Sequence, residues 1–153
     1  MPGPDATVHA SCVIVGEAGI LIRGESGSGK STLARELLDR AEGAGLFARL
    51  VCDDRVALSH RHGRIIARTL PPIAGRLEIR GLGIVHRPWE PAAVVRLVVD
   101  CGTAPLRMPE AGGLQTDVCG VTLPRVAVEL GHDSAGLVLT RLRALRDTDV
   151  TGC

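Results

Sequence analysis

Tyrosine is absent, and Phe47 and Trp89 are the only aromatic residues. The core must therefore be built from Val, Leu, Ile and Ala, and the scarcity of aromatic platforms weakens any nucleic-acid reading, because bases need them to stack on. Cys12, Cys52, Cys101, Cys119 and Cys153 contain no C-x-x-C pair, so they read as reduced, mostly buried thiols and not as a disulfide framework. His60, His62, His86 and His132 lack ligand spacing, which argues against a zinc site. No apolar run approaches the roughly 20 residues of a membrane span. The opening "MPGPDATVHAS" lacks the basic-then-apolar order of an export signal. An excess of one charge is missing too: 18 basic and 17 acidic residues leave +1, with no field to steer the chain toward DNA or a membrane. These absences predict a cytoplasmic protein with neither nucleic acid nor membrane as partner.

What is present is a chain of 153 residues, 45% hydrophobic, long enough for one domain with a real core. "HASCVIV" and "GILIRG" read as two strands joined by a Gly16–Gly19 turn. Residues 30–42 place Leu33, Leu37, Leu38 and Ala41 on one helix face, and "GAG" at 43–45 stops the helix. "LFARLV" (46–51) is a buried strand ending at Asp53 and Asp54, and "VALSH" with "RIIART" flanks the turn "RHG" as a second hairpin. "TLPPIAGRLEIRGLGIV" is loop, strand and glycine-marked turn, and "AAVVRLVVD" (92–100) is strongly strand-like. From Cys101 to Gly120, Pro and Gly predict a long surface loop. Pro124 interrupts the last strand, "VTLPRVAVEL", and hints at an edge. Asp133 or Ser134 can cap a final helix to about Asp147, with Leu137, Val138, Leu142 and Leu145 inward. The layout is α/β with several hairpins, hence a mixed sheet and not an alternating βαβ array.

The most specific segment is Gly24-Glu25-Ser26-Gly27-Ser28-Gly29-Lys30-Ser31, followed by Thr32. It matches G-x-x-x-x-G-K-[ST] after a strand and before a helix, the context a phosphate loop requires. The glycines let backbone N–H groups approach phosphate oxygens, and the helix N-terminus adds its dipole. Lys30 supplies a positive charge for the β- and γ-phosphates, and the Ser31 hydroxyl can ligate Mg²⁺.

Three other clusters are weaker. Asp53 and Asp54, at a strand end, can bind Mg²⁺ or accept a proton from an attacking hydroxyl, or form a solvated acidic turn. On a strand, adjacent residues point opposite ways, so at most one of the two should face the γ-phosphate. Glu78 and Arg80 share a face by the two-residue period and can hold a metal and a phosphoryl group, or pair across strands on the surface. His9, just before the first strand, has no partner legible in the sequence.

Taken together, these segments resemble the catalytic domain of HPr kinase/phosphorylase, in the short alphaproteobacterial-type form. "LEIRGLGI" (77–84) carries the family signature, with the phosphate loop, "LVCDD" and His9 in the family's order. The resemblance implies a phosphate-loop fold with a mixed sheet related to phosphoenolpyruvate carboxykinase. It implies phosphoryl transfer from ATP to a serine of the phosphocarrier protein HPr of the phosphotransferase system. By position, His9 and Lys30 resemble residues at the phosphate site, Ser31 and Glu78 the Mg²⁺ ligands, and Asp54 the residue that deprotonates the target serine. Arg107 resembles the active-site arginine, while Asp53, Arg80 and Arg125 stand as supporting residues. The family's Pro-Val-Arg-Pro-Gly-Arg segment, associated with dephosphorylation, corresponds here to Thr122–Glu129, where Arg125 is the one arginine. Phosphorolysis is therefore left open. Residues 1–153 are expected to form one catalytic domain without the family's N-terminal domain, assembling as a hexamer if the family pattern holds. An ATP-sensing module without transferase activity and a small-molecule kinase are the alternatives.

Overall fold

A computed structural model describes residues 6–104, 107–129 and 133–151, with nothing said of the side chains of 148–151. The opening residues, His132 and Cys153 lie outside the described residues. Strands β2 (Ala10–Val15) and β3 (Ala18–Arg23) form the antiparallel hairpin expected from the Gly16 turn. Val13, Ile20 and Ile22 join one core and Cys12, Ile14 and Leu21 the other. Burial on both faces is why these strands read as continuous apolar runs.

The remaining strands are β1 (Ala6–Val8), β4 (Ala48–Cys52), β5 (Val56–Arg61), β6 (Arg64–Arg68), β7 (Arg76–Ile79), β8 (Gly83–His86), β9 (Ala92–Cys101), β10 (Gln115–Val118) and β11 (Val121–Val128). The order β1-β5-β6-β9-β3-β2-β4 is extended by β11 on β9 and by β10 on β11, while β7 and β8 form a separate hairpin. β9 runs parallel to β3 and β11, and the other pairings are antiparallel, so the sheet is mixed. The β5–β6 turn is made by His62 and Gly63, both at positive φ, as a two-residue hairpin requires.

One feature of the topology positions the site. β1 and β2 are a single run broken at His9, and β4 and β5 a single run broken at Asp53–Arg55. β1 pairs with β5 and β2 with β4, so both runs bend at the same level of the sheet. His9 and Asp54 face each other across that corner. The histidine thus follows a short strand and does not precede the first one. Three residues, "ATV", are too few to show a period.

Helix α1 (Lys30–Gly43) buries Leu33, Ala34, Leu37, Leu38 and Ala41, and each leucine contributes about 1.5–3 kcal/mol of burial. It ends where the "GAG" segment predicts, with Gly45 at φ 76 and the Ala44 N–H on the Arg40 and Ala41 carbonyls. Helix α2 (Ser134–Thr151) is capped by Asp133, whose Oδ1 accepts the Gly136 N–H at 3.2 Å. Its inward residues are Ala135, Val138 and Leu142, with Leu139 and Leu145 packed beside them. Leu137, expected inward, is 41% exposed. The small Ala135 sets the phase that the leucines left ambiguous.

Between Cys101 and Gly120 the expected loop contains a 3-10 turn (Ala111–Leu114) and β10. Cys119 and Gly120, both at positive φ, close the β10–β11 hairpin. Pro124 lies where β11 exchanges β10 for β9 as partner, and its missing N–H is tolerated there.

At the C-terminal end of β9, Asp100 receives a bidentate pair from Arg23 (2.8 and 3.0 Å) and a further bond from Arg125 Nε. Burial pushes the Asp100 carboxyl up, but the hydrogen bonds from Arg23 and Arg125 outweigh it, and the net shift is downward. A depressed carboxylate stabilises the fold above its unfolded value of about 3.9 and loses that contribution as pH falls through its folded value. Asp100→Asn is therefore expected to cost on the order of 1–3 kcal/mol at pH 6 in urea unfolding. The gap to the parent chain should close as pH is lowered below about 3.9.

Candidate active site

The phosphate loop runs from the end of β3 into α1. Gly24, Gly27 and Gly29 have φ of 154, 83 and 101, and the Ser28 N–H bonds the Glu25 carbonyl at 3.0 Å. Gly29 is the N-cap of α1 and no side chain caps the helix there, so its first N–H groups stay open to an anion. Lys30 is the chain's only lysine. It is 5% exposed, and its Nζ donates to the carbonyls of Gly24 (2.8 Å) and Glu25 (3.1 Å).

Asp53 is the hub beneath the loop. Its Oδ1 accepts the hydroxyls of Ser31 (2.9 Å) and Ser11 (2.8 Å), and its Oδ2 accepts the Glu78 N–H (3.1 Å). One buried carboxylate thus ties β2, α1 and β7 to the end of β4. β4 stops at Cys52, so the strand-period expectation for the two aspartates does not apply: both lie in the turn that follows. Asp54 has φ 67 and is exposed, and its Oδ1 lies 2.8 Å from His9 Nε2. A cavity of about 750 Å³ is lined by Ser26, Gly27, Gly29, Lys30, Ser31 and Thr32, by Asp54, and by Glu78, Ile79, Arg80, Gly81 and Gly83.

The structure therefore brings Lys30, Ser31, Asp54, Glu78 and Arg80 around one space, with His9 on the far side of Asp54. Arg80 lies just beyond the end of β7, so it and Glu78 do not share a strand face, although both line the cavity. Gly24, Glu25 and Ser28 support the loop from behind and are not part of the lining. Two expected residues lie elsewhere. Arg107 is exposed in the segment after β9 and outside the lining. Arg125 is held by Asp100 and by the Gly113 carbonyl (2.8 Å). Ser11 escaped sequence reasoning; a lone hydroxyl inside the apolar run "ASCVIV" was its signal.

Burial pushes the Cys101 thiol up to about 11, although the Lys30 charge pulls the other way. Burial and the neighbouring Cys52 push Cys12 up to about 12. Both shifts favour the protonated thiol at neutral pH, so neither Cys12 nor Cys101 is placed to act as a thiolate. Among the described residues, no group of three or more His, Cys, Asp or Glu could hold a metal alone. Mg²⁺ does not need one: it binds one or two protein oxygens and completes its shell with substrate phosphates and water. The Ser31 hydroxyl and the Glu78 carboxylate fit that demand, because Ser31 gives its proton to Asp53 and keeps lone pairs free.

Fold and site together define a phosphate-loop domain on a curled mixed sheet. Residues 3–87 match the family model "HPr Serine kinase C-terminal domain", and the chain belongs to that family. It is 44% identical over 82 residues to the HPr kinase/phosphorylase of Clostridium beijerinckii, covering 54% of this chain and 25% of that protein. The HPr kinase/phosphorylase of Clostridium tetani is 42% identical over 85 residues, covering 56% and 26%. The chain thus spans about a quarter of the length of these curated relatives. The solved Hpr(Ser) kinase/phosphatase from Coxiella burnetii superposes with a TM-score of 0.75 at 27% identity, covering 93% of this chain and 97% of that one. The likeness in fold therefore continues past residue 87, where the family match ends.

Proposed function

We propose that this chain transfers the γ-phosphoryl group of ATP to a serine of an HPr-type phosphocarrier protein. The observation that carries the reading is Asp54, a carboxylate opening onto the same cavity as the phosphate loop and backed by His9. In this scheme the loop amides and Lys30 hold and neutralise the phosphates. Bound Mg²⁺, held by Ser31 and Glu78, would neutralise charge on the β- and γ-oxygens. Asp54 accepts the proton of the target serine, and His9 orients the carboxylate. Arg80, on the cavity wall, is the guanidinium assigned to the transferring group; Arg107 stays a second candidate from family resemblance. The β7–β8 hairpin presents Leu82 (71% exposed) and Ile84 beside the cavity, and Met108 is 84% exposed on the segment after β9. Such apolar surface suits a protein substrate better than a small one.

The test is incubation with labelled ATP, Mg²⁺ and an HPr protein, following label on the HPr serine. Label on HPr is the expected result. Nucleotide bound without any transfer would favour the sensing module, and label passed only to a small hydroxyl compound would favour the small-molecule kinase. Because Arg125 is engaged by Asp100 and does not line the cavity, phosphate added after nucleotide removal is expected to leave the label in place. Release of labelled pyrophosphate would reverse that expectation.

A further inference from the structure

We propose that Ser11 is a positioning residue for phosphoryl transfer: its hydroxyl bridges the Asp53 carboxylate and the Asp54 backbone, and so fixes the proton acceptor relative to the phosphate loop. The proposal rests on the kinase reading above. Ser11 is on β2, 0% exposed, between the equally buried Ala10 and Cys12. A hydroxyl in such a strand must find partners, because a buried donor left unsatisfied forfeits its hydration with nothing in return. It finds two. Ser11 Oγ donates to Asp53 Oδ1 at 2.8 Å and accepts the Asp54 N–H at 3.0 Å.

The second bond bears on the chemistry. Asp54 has φ 67, a left-handed conformation that few non-glycine residues adopt and that needs holding in place. That conformation turns its carboxylate toward His9 and the cavity. A bond to the Asp54 N–H holds the turn in place, while the bond to Asp53 places Ser11 on the same oxygen as Ser31. Ser11 thus joins the residue that takes the proton to the one that holds the phosphate end. A small core residue such as Ala would fill the space and do neither.

The experiment compares Ser11→Ala and Ser11→Thr with the parent chain in three readouts: kcat and KM for ATP with HPr as acceptor, melting temperature, and the imidazole resonances of His9, assigned by His9→Gln. Ser11→Ala is expected to lower kcat about tenfold or more, to leave KM for ATP within about threefold, and to shift the His9 resonances. Ser11→Thr, which keeps the hydroxyl, should return the resonances and most of kcat. Parent-like kcat with unmoved His9 resonances in Ser11→Ala would overturn the proposal. So would a loss that tracks the melting temperature in both variants alike. If the parent chain transfers nothing to HPr, the kinase reading fails, and the His9 resonances with Mg·ATP added decide Ser11 alone: a shift in Ser11→Ala restored in Ser11→Thr supports it, and none overturns it.

Discussion

Asp54→Asn is expected to reduce phosphoryl transfer to HPr by about 10²–10⁴-fold while nucleotide binding stays within a few-fold of the parent chain, the range associated with losing a positioned general base. The size of the effect follows from chemistry and not from damage. Asparagine matches aspartate in shape, and Asn is among the residues most at ease at positive φ, so the turn at φ 67 should keep its conformation. The amide retains an oxygen within reach of His9 but is far too weak a base to take a serine proton. The bonds that tie Ser31 and Glu78 to Asp53 are untouched, so the phosphate end of the cavity is preserved. Transfer by single turnover and affinity by a fluorescent ATP analogue separate the two effects. Full transfer by Asp54→Asn would remove Asp54 from the mechanism. A parallel loss of nucleotide binding would mean the substitution had disturbed the corner of the sheet.

The parts of this structure legible in the sequence are those that local rules control. The phosphate loop and α1 follow from glycine spacing and from Leu33, Leu37 and Leu38 at helical intervals. The β2–β3 and β5–β6 hairpins follow from their turn residues. What could not be read depends on contacts distant in sequence. "QTDV" becomes β10 only because β11 offers its edge, and Val118 is its one buried residue. Asp53 and Asp54 sit beyond a strand end that pairing with β2 determines, so the two-residue period had no hold on them. Ser11 and Asp53 are 42 positions apart, and only the β2–β4 pairing brings them together. Arg125 shows the reverse situation. Its place in a family segment suggested the active site, yet Asp100 and Arg23 on adjacent parallel strands supply its surroundings.

Gly24→Ala is the other substitution with a large expected effect, at least about a hundredfold in phosphoryl transfer, by the loss that about 1 Å of misplacement at a reacting group brings. A Cβ at Gly24 would lie 2.4 Å from Ser28 Oγ and 2.8 Å from the Cys101 carbonyl oxygen. Ser28 can rotate, since its hydroxyl has no hydrogen-bond partner. The carbonyl cannot yield in the same way, because Cys101 ends β9 in register with Val128 of β11, and Gly102 N–H bonds the Val128 carbonyl at 3.0 Å. The loop itself must therefore move away from β9. That motion displaces the Gly24 and Glu25 carbonyls that hold Lys30 Nζ, so the clash reaches the phosphate-binding charge through the backbone. Gly27→Ala supplies the contrast. Gly27 also has positive φ, 83, but its Cβ would meet no protein atom within 4 Å, leaving only a backbone cost of roughly 1–2 kcal/mol. In the nucleotide-free protein Gly24→Ala should therefore lower the melting temperature more than Gly27→Ala does. Equal melting temperatures with unimpaired transfer in Gly24→Ala would show that the loop can relax without moving Lys30, and that the close approach to β9 does not fix the phosphate site.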